Sequence, residues 1–190
     1  MMNKDIYRGE KVRLVAMEPE KDAKRMASWR RDTEYARLLD SDPVRLWSAG
    51  QTQEWLEKQQ KARTFEGIEF MIRTLDGDKS IGFVGLDGIS WHNGNSWVGI
   101  GIGERAYWSK GCGTDAMHIV ARYAFEELGL HRLTLNVFAY NTRAIRAYEK
   151  VGYKVEGRIF EAVHREGERW DVIFMGLLHD EWRKLNAKSS

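Results

Sequence analysis

The residues of this sequence best suited to chemistry include six in a row, Ser109-Lys110-Gly111-Cys112-Gly113-Thr114. They form a glycine-bearing loop that runs straight into the strongest helical pattern of the chain. Such a loop presents successive backbone N–H groups at a helix N-terminus, where positive partial charge collects, so it suits an anion such as phosphate. Lys110 adds a point charge, and a plain turn is the alternative. Just upstream, residues 96–103 alternate Val98, Ile100 and Ile102 with Gly99, Gly101 and Gly103. Each glycine costs a strand roughly 0.5–1 kcal/mol relative to alanine. Three on one face leave it bare, either for an extended ligand or for a closely packed helix.

Other chemistries fit less well. Gly111, Gly113 and Ala116 match the spacing of a dinucleotide fingerprint, which wants a carboxylate after the next strand. That strand runs instead into Ala139-Tyr140-Asn141, and the repeated βαβ units of a dinucleotide fold are missing. No Gly-Lys-Ser/Thr triplet occurs, which excludes a nucleoside-triphosphate loop. None of the five histidines pairs with another at metal-ligand spacing, so no metal is expected. The single cysteine, Cys112, excludes an internal disulfide framework and reads as the variable residue of the loop.

Around the loop, hydrophobic periodicity lays out the elements that must position it. Val12–Ala16 reads as a strand, and Pro19 opens a helix reaching about Arg30. A second helix covers residues 52–62. Residues 68–74, 80–89 and 96–103 read as strands joined by turns at Asp76-Gly77-Asp78 and His92-Asn93-Gly94-Asn95. Met117, Val120, Ala121, Ala124, Phe125 and Leu128 then form one apolar helical stripe, closed by Gly129. Arg132–Phe138 is a strand. Residues 141–151 are a helix with Ala144, Ala147, Tyr148 and Val151 on one side and Gly152 as its stop. Two final strands cover residues 155–163 and 169–178. The order β-α-α-β-β-β-α-β-α-β-β predicts an α/β fold: a mixed, mostly antiparallel central sheet with helices on both faces.

Composition sets the outer limits. The chain is 43% hydrophobic and 31% charged, with a formal net charge of +2, which gives no electrostatic case for nucleic acid or an anionic membrane. No stretch approaches the roughly 20 apolar residues of a membrane helix. Met1-Met2-Asn3-Lys4-Asp5 has no apolar leader, so a cytoplasmic location is expected. The eight tryptophans are scattered and read as core and pocket walls.

Tyr107-Trp108-Ser109-Lys110-Gly111-Cys112-Gly113-Thr114-Asp115-Ala116, followed by Asn141-Thr142-Arg143-Ala144 and Tyr148-Glu149-Lys150-Val151-Gly152-Tyr153, resembles the GNAT superfamily of N-acetyltransferases. Within it, Gly9-Glu10-Lys11-Val12-Arg13-Leu14 and Asp171 through Trp182 resemble the ribosomal-protein N-terminal acetyltransferase (Rim-type) branch. The likeness spans residues 9–183 and implies one domain there, with 184–190 a disordered tail. It implies acetyl-CoA as co-substrate and an amine, small or peptidic, as acceptor. It also leaves a homodimer open. On matching positions, the strand around Ile100, Gly101 and Ile102 would pair with the pantetheine arm. Lys110, Gly111, Cys112, Gly113 and Thr114 would hold the pyrophosphate. Asn141 would bond the pantetheine, and Tyr148 would protonate the departing thiolate. By their own patterns Asn141 reads as a helix cap and Tyr148 as core, while Arg146 reads as a phosphate contact or a solvated charge.

Two departures stand out. Trp108 occupies the place where the superfamily often has Gln or Arg, as this branch commonly does. Trp97 occupies the place where many relatives carry a glutamate, so the resemblance supplies no general base. Strand order leaves Asp87, Glu69 and His92 as candidates, beside a water chain or an amine of low pKa. Trp97 also supports the rival reading, a non-catalytic acyl-CoA-binding sensor or scaffold. The acceptor could be a protein N-terminus, a polyamine, an aminoglycoside or an amino-sugar. The lack of an acidic cluster outside turns favours a peptide N-terminus or another small amine.

Overall fold

A computed structural model describes residues 5–62 and 66–187. Its strands are β1 Val12–Ala16, β2 Gly67–Thr74, β3 Ser80–Ser90, β4 Asn95–Ile102, β5 Arg132–Phe138, β6 Lys154–Arg165 and β7 Glu168–Leu178. Its helices are α1 Pro19–Trp29, α2 Thr33–Leu39, α3 Ala49–Ala62, α4 Cys112–Arg122, α5 Thr142–Val151 and α6 His179–Ala187. The strands form one sheet in the order β1-β2-β3-β4-β5-β7-β6. Only the β4–β5 pair is parallel. The expected mixed, mostly antiparallel sheet with helices on both faces is what the chain forms.

Two apolar layers hold the faces. On one, Ala116, Met117 and Val120 of α4, Val151 of α5 and Trp182 of α6 pack over Val84, Leu86, Val98 and Met175. On the other, Met26 and Trp29 of α1, Tyr35 of α2 and Leu56 of α3 pack over Met71, with Phe83 alongside. The stripe predicted for α4 is buried at Met117, Val120, Ala121, Ala124 and Phe125. After Arg122 the chain continues in a wider π-type turn, Tyr123–Glu127, and ends at left-handed Gly129, φ 65°.

Two helices were not expected. α2 has seven residues, too few for a periodic pattern, and is fixed by its cap: the Asp32 carboxylate accepts from the N–H groups of Glu34 and Tyr35 at 3.0 and 3.2 Å. α6 follows β7 directly and is anchored by Trp182, whose ring lies 5.4 Å from that of Phe125. Residues 184–187, expected to be a disordered tail, are instead the end of α6, which reaches Ala187, and Leu185 lies against Gly152. Residues 188–190 lie outside the described residues. α3 starts three residues earlier than expected, at a capping box in which Ser48 and Gln51 each accept the other's backbone N–H, at 3.1 and 3.0 Å.

What positions the site is a parting of strands. β4 stays paired with β3 as far as Ile102 opposite Gly82. Its pairing with β5 stops after Trp97 opposite Thr134. From Val98 onward β4 and β5 diverge, leaving a wedge beside one backbone edge of β4.

Candidate active site

The wedge is lined by main chain. Gly103 N–H donates to Ile81 O at 2.9 Å, on the β3 side. Strand alternation then turns the N–H and C=O groups of Ile102, Ile100 and Val98 to the wedge. In agreement, the Trp108 indole N–H, coming from the wedge side, donates to Ile102 O at 2.6 Å. The last pairing with β5, Trp97 opposite Thr134, takes the Val98 N–H, so the open groups are the Val98 C=O and the N–H and C=O of Ile100. These could pair with an extended amide-bearing ligand, as a further strand would.

The glycine face is less bare than the alternation suggested. A Cβ on Gly101 would meet the Tyr35 hydroxyl at 2.8 Å and Leu39 at 3.0 Å, and one on Gly103 would run into the Trp29 ring. Helices α1 and α2 therefore use two of the three glycines for close packing. Only Gly99 is open, with nothing within 4 Å of a Cβ there. The close-packing reading holds at Gly101 and Gly103, while Gly99 keeps an open face.

The loop lies at the far end of the wedge, where a Cβ on Gly113 would touch Ile102 at 3.5 Å. Gly111 is the N-cap of α4 in the left-handed region, φ 84°, without a side-chain cap. The first N–H groups of the helix, from Cys112, Gly113 and Thr114, thus have no intrahelical acceptor. The Cys112 side chain is buried, and burial pushes its thiol pKa up, away from reactivity. Lys110 is exposed, its ammonium 5.7 Å from the Tyr107 ring.

Sequence reasoning missed a second lysine here. Asp115, in the first turn of α4, accepts from the N–H groups of Glu10, Lys11 and Val12 at 3.1, 2.8 and 2.9 Å. That strap brings the Lys11 side chain across Gly111, its Cε 3.3 Å from where a Cβ would stand. Arg143 was missed as well. Its guanidinium stacks 3.8 Å from the Trp108 ring, and desolvation lowers its pKa. An arginine from α5 thereby supplies positive charge beside the position where the motif lacks one.

Asn141 is the N-cap of α5, its Oδ1 accepting from Ala144 N–H at 3.2 Å, as its pattern alone suggested. Tyr148 is half-buried on the inner side of α5, 6.2 Å from the Tyr153 ring, and burial pushes its phenol up to about 12. Arg146 is exposed on α5. Of the base candidates, Asp87 lies opposite Trp97, and Glu69 lies opposite Gly85, itself opposite Gly99. His92 sits in the turn before Asn95, so a strand rise of about 3.3 Å per residue puts Gly99 some 13 Å beyond that turn. No group of three or more His, Cys, Asp or Glu side chains that could hold a metal occurs among the described residues.

A cleft opens beside the wedge, lined by Glu34 and Arg37 of α2, by Tyr140 and Trp170, and by Arg165, Glu166 and Glu168 of the β6–β7 turn region, with Arg165 against Tyr140. Arg37 is paired with Glu166 and Glu34 with Arg105. The face is set by aromatic contacts. Trp97 meets Phe174 at 6.1 Å, and Trp170 shares the Phe174 side of β7 by strand alternation. The cleft and Gly99 thus open on the same side of the sheet.

The family model for the acetyltransferase (GNAT) domain matches residues 11–154. The chain belongs to the GNAT acetyltransferase family. It is 28% identical over 177 residues to the prophage-derived N-acetyltransferase YokL of Bacillus subtilis, covering 93% of this chain and 94% of that one. It is 34% identical over 133 residues to the probable N-acetyltransferase YjcK of the same organism, covering 70% and 73%. Among solved structures, spermidine N-acetyltransferase from Vibrio cholerae in complex with CoA and spermine matches with a TM-score of 0.80 at 22% identity, over 90% of this chain and 98% of that one. The GNAT protein described here is accordingly an acetyl-CoA-dependent acetyltransferase, and the dinucleotide fingerprint is a chance match. No helix among the described residues is long and apolar enough to cross a membrane.

Proposed function

We propose that this enzyme moves the acetyl group of acetyl-CoA directly to a primary amine that carries further positive charge, such as a polyamine or a basic peptide N-terminus. The observation carrying this reading is the wedge: an open β4 edge that ends at the uncapped start of α4. The pantetheine arm pairs with Ile100 and Ile102 across Gly101, and its pyrophosphate rests on Lys110, Gly111, Cys112, Gly113 and Thr114, with Lys11 adding charge. The Asn141 carboxamide keeps its N–H groups for the pantetheine while its oxygen caps α5. Arg146, exposed on the same helix, adds charge for the adenosine-side phosphate.

The amine enters from the cleft. Tyr140 and Trp170 suit a cation by their ring faces, and Glu168 by its charge. No acidic cluster outside turns is visible along the chain, because Glu34 joins Glu166 and Glu168 only on folding. This combination supports a cationic acceptor over a neutral amino-sugar, and the spermine bound by the Vibrio cholerae neighbour points the same way. The Rim-type branch is a narrower reading, resting on residues 9–14 and 171–182, and it would favour the peptide.

In the reaction, the neutral amine nitrogen attacks the thioester carbon, and the negative charge developing on oxygen meets an open β4 N–H. The C–S bond then breaks. Tyr148, protonated because of its raised pKa, donates its proton to the thiolate and recovers one from solvent as the N-acetyl product forms. An acetyl-CoA consumption screen across polyamines, basic peptides, aminoglycosides and amino-sugars tests the proposal. Turnover concentrated in the first two classes is expected. Turnover confined to neutral amines would overturn the cationic assignment, and no turnover with any amine would favour the sensor reading.

A further inference from the structure

An acceptor with an ordinary amine pKa arrives mostly as ammonium and must lose a proton before it can attack. Trp97 removes the acidic residue that many relatives place on this strand, so the proton needs another acceptor. Three residues stand in one row across the sheet: Glu69 on β2 is opposite Gly85 on β3, and Gly85 is opposite Gly99 on β4. Directly opposed residues share a face. That face is the one under α1 and α2, because Glu69 is two residues from Met71 and Gly99 two from Gly101, both packed there.

The middle of the row has no side chain, and the Glu69 chain uses the space. A Cβ on Gly85 would lie 2.8 Å from Ile68 O and 3.0 Å from Glu69 Cγ, so the neighbouring backbone already requires the glycine, and the glutamate leans over it in the row leading to Gly99. Two strand spacings separate the Cα atoms of Glu69 and Gly99 by roughly 10 Å. A glutamate side chain spans about half of that, leaving room for the amine or for the amine and one water. Gly99 is the open glycine, at the point where β4 leaves β5. The cleft proposed for the amine opens on the same face from the β7 side, so an incoming amine lies between the cleft and Glu69.

We propose that Glu69 is the proton acceptor for the amine, directly or through one water. It removes one proton from the ammonium, the C–N bond forms, and the C–S bond breaks as Tyr148 gives its proton to sulfur. The second nitrogen proton passes to solvent, and Tyr148 takes one back from solvent. Glu69 then releases its proton to solvent. Gly85 is the residue that lets it reach: any side chain there would stand in its way. Asp87 is the rival, and it lies opposite Trp97, whose indole stands between it and the cleft side.

This inference rests on the wedge as the acetyl-CoA site, and the test separates the two. Wild type, Glu69→Gln and Asp87→Asn are assayed with a productive ammonium-forming amine and with hydroxylamine, which is already neutral at pH 7. For E69Q, kcat/KM with the first amine should fall about 100-fold or more at neutral pH, the usual size of a general-base effect, and what remains should climb with pH in step with the neutral fraction of the amine. With hydroxylamine the loss should be no more than a few-fold. D87N should stay near wild type with both. A fall of equal size with both nucleophiles, or no fall with either, overturns Glu69 while leaving the wedge intact. Glu69→Asp serves as the second variant should E69Q not fold: it should lose rate with the ammonium-forming amine and keep it with hydroxylamine, and an equal loss with both would also overturn the assignment. A wild-type protein that transfers acetyl to neither nucleophile overturns the proposed function as well.

Discussion

The Asp115 carboxylate holds the Lys11 backbone N–H at 2.8 Å, and through that bond a residue near the chain start is set over the phosphate loop. The same carboxylate takes the N–H groups of Glu10 and Val12, so it ties the entry of β1 to the first turn of α4. Asp115→Asn leaves at least one of these donors facing an amide N–H. We expect a loss of about 1–2 kcal/mol in denaturant unfolding, together with weaker CoA binding. Lys11→Met should leave stability unchanged and weaken CoA about three- to fivefold, the scale of an exposed ionic contact, with a shallower salt dependence. Calorimetric titration at two salt concentrations checks both.

The two loop glycines should answer differently. A Cβ on Gly113 meets only Ile102, at an ordinary 3.5 Å, and its φ is unexceptional. Gly113→Ala should therefore fold normally and bind CoA at least tenfold more weakly, because the methyl group occupies space that phosphate needs. Gly111 sits at φ 84° beneath the Lys11 chain, so Gly111→Ala should lose stability as well as affinity. Melting curves with and without CoA separate the two effects.

Tyr148→Phe should cut turnover by roughly 10- to 1000-fold with little change in CoA affinity or melting temperature. Since burial raises the phenol to about 12, it stays protonated across ordinary assay conditions. Its raised pKa contributes stability that is complete below about 10, the unfolded value, and lost as pH rises through the folded one. An alkaline limb in the rate profile near neutrality would therefore belong to another group. Turnover of the variant within twofold of wild type, per folded molecule, would remove Tyr148 from the mechanism.

Asp32 joins the cover of the site to its stability. Its carboxylate caps α2 and pairs with Arg105, whose hydrogen bonds hold its pKa below the usual range. A depressed carboxyl stabilises the fold above its unfolded pKa, about 3.9, and the contribution disappears as pH falls through the folded value. Asp32→Ala should cost about 0.5–2 kcal/mol at neutral pH, the usual loss of an N-cap, and the difference from wild type should shrink below about pH 4. Because α2 carries Tyr35 and Leu39 over Gly101, and Glu34 into the cleft, KM for the amine should also rise.

The sequence was legible where chemistry and periodicity are local. The α4 stripe, the glycine loop and the strand order all lie within short windows, and the fold class followed from them. Short α2 carries too few turns for a stripe. Gly101 and Gly103 were ambiguous because the side chains that cover them, Tyr35, Leu39 and Trp29, come from more than 60 residues earlier. Lys11, Arg143, the Glu34–Glu168 cleft and the Glu69–Gly85–Gly99 row all depend on strand register or on contacts between distant segments. Composition and spacing carry no record of such contacts. For Asn141 and Tyr148 the bland readings, cap and half-buried ring, are what the geometry displays, and the proposed catalytic use would add to those roles without replacing them.

The central claim is that the pantetheine arm lies along the open edge of β4 and ends at the start of α4. Amide hydrogen exchange with and without saturating acetyl-CoA tests it most directly. The account predicts slowed exchange at Ile100 and Ile102, whose N–H groups face the wedge, and at Cys112, Gly113 and Thr114. Exchange at Gly101, already directed to β3, should change least within the strand. Binding that raises the melting temperature yet leaves these five amides unchanged would contradict it.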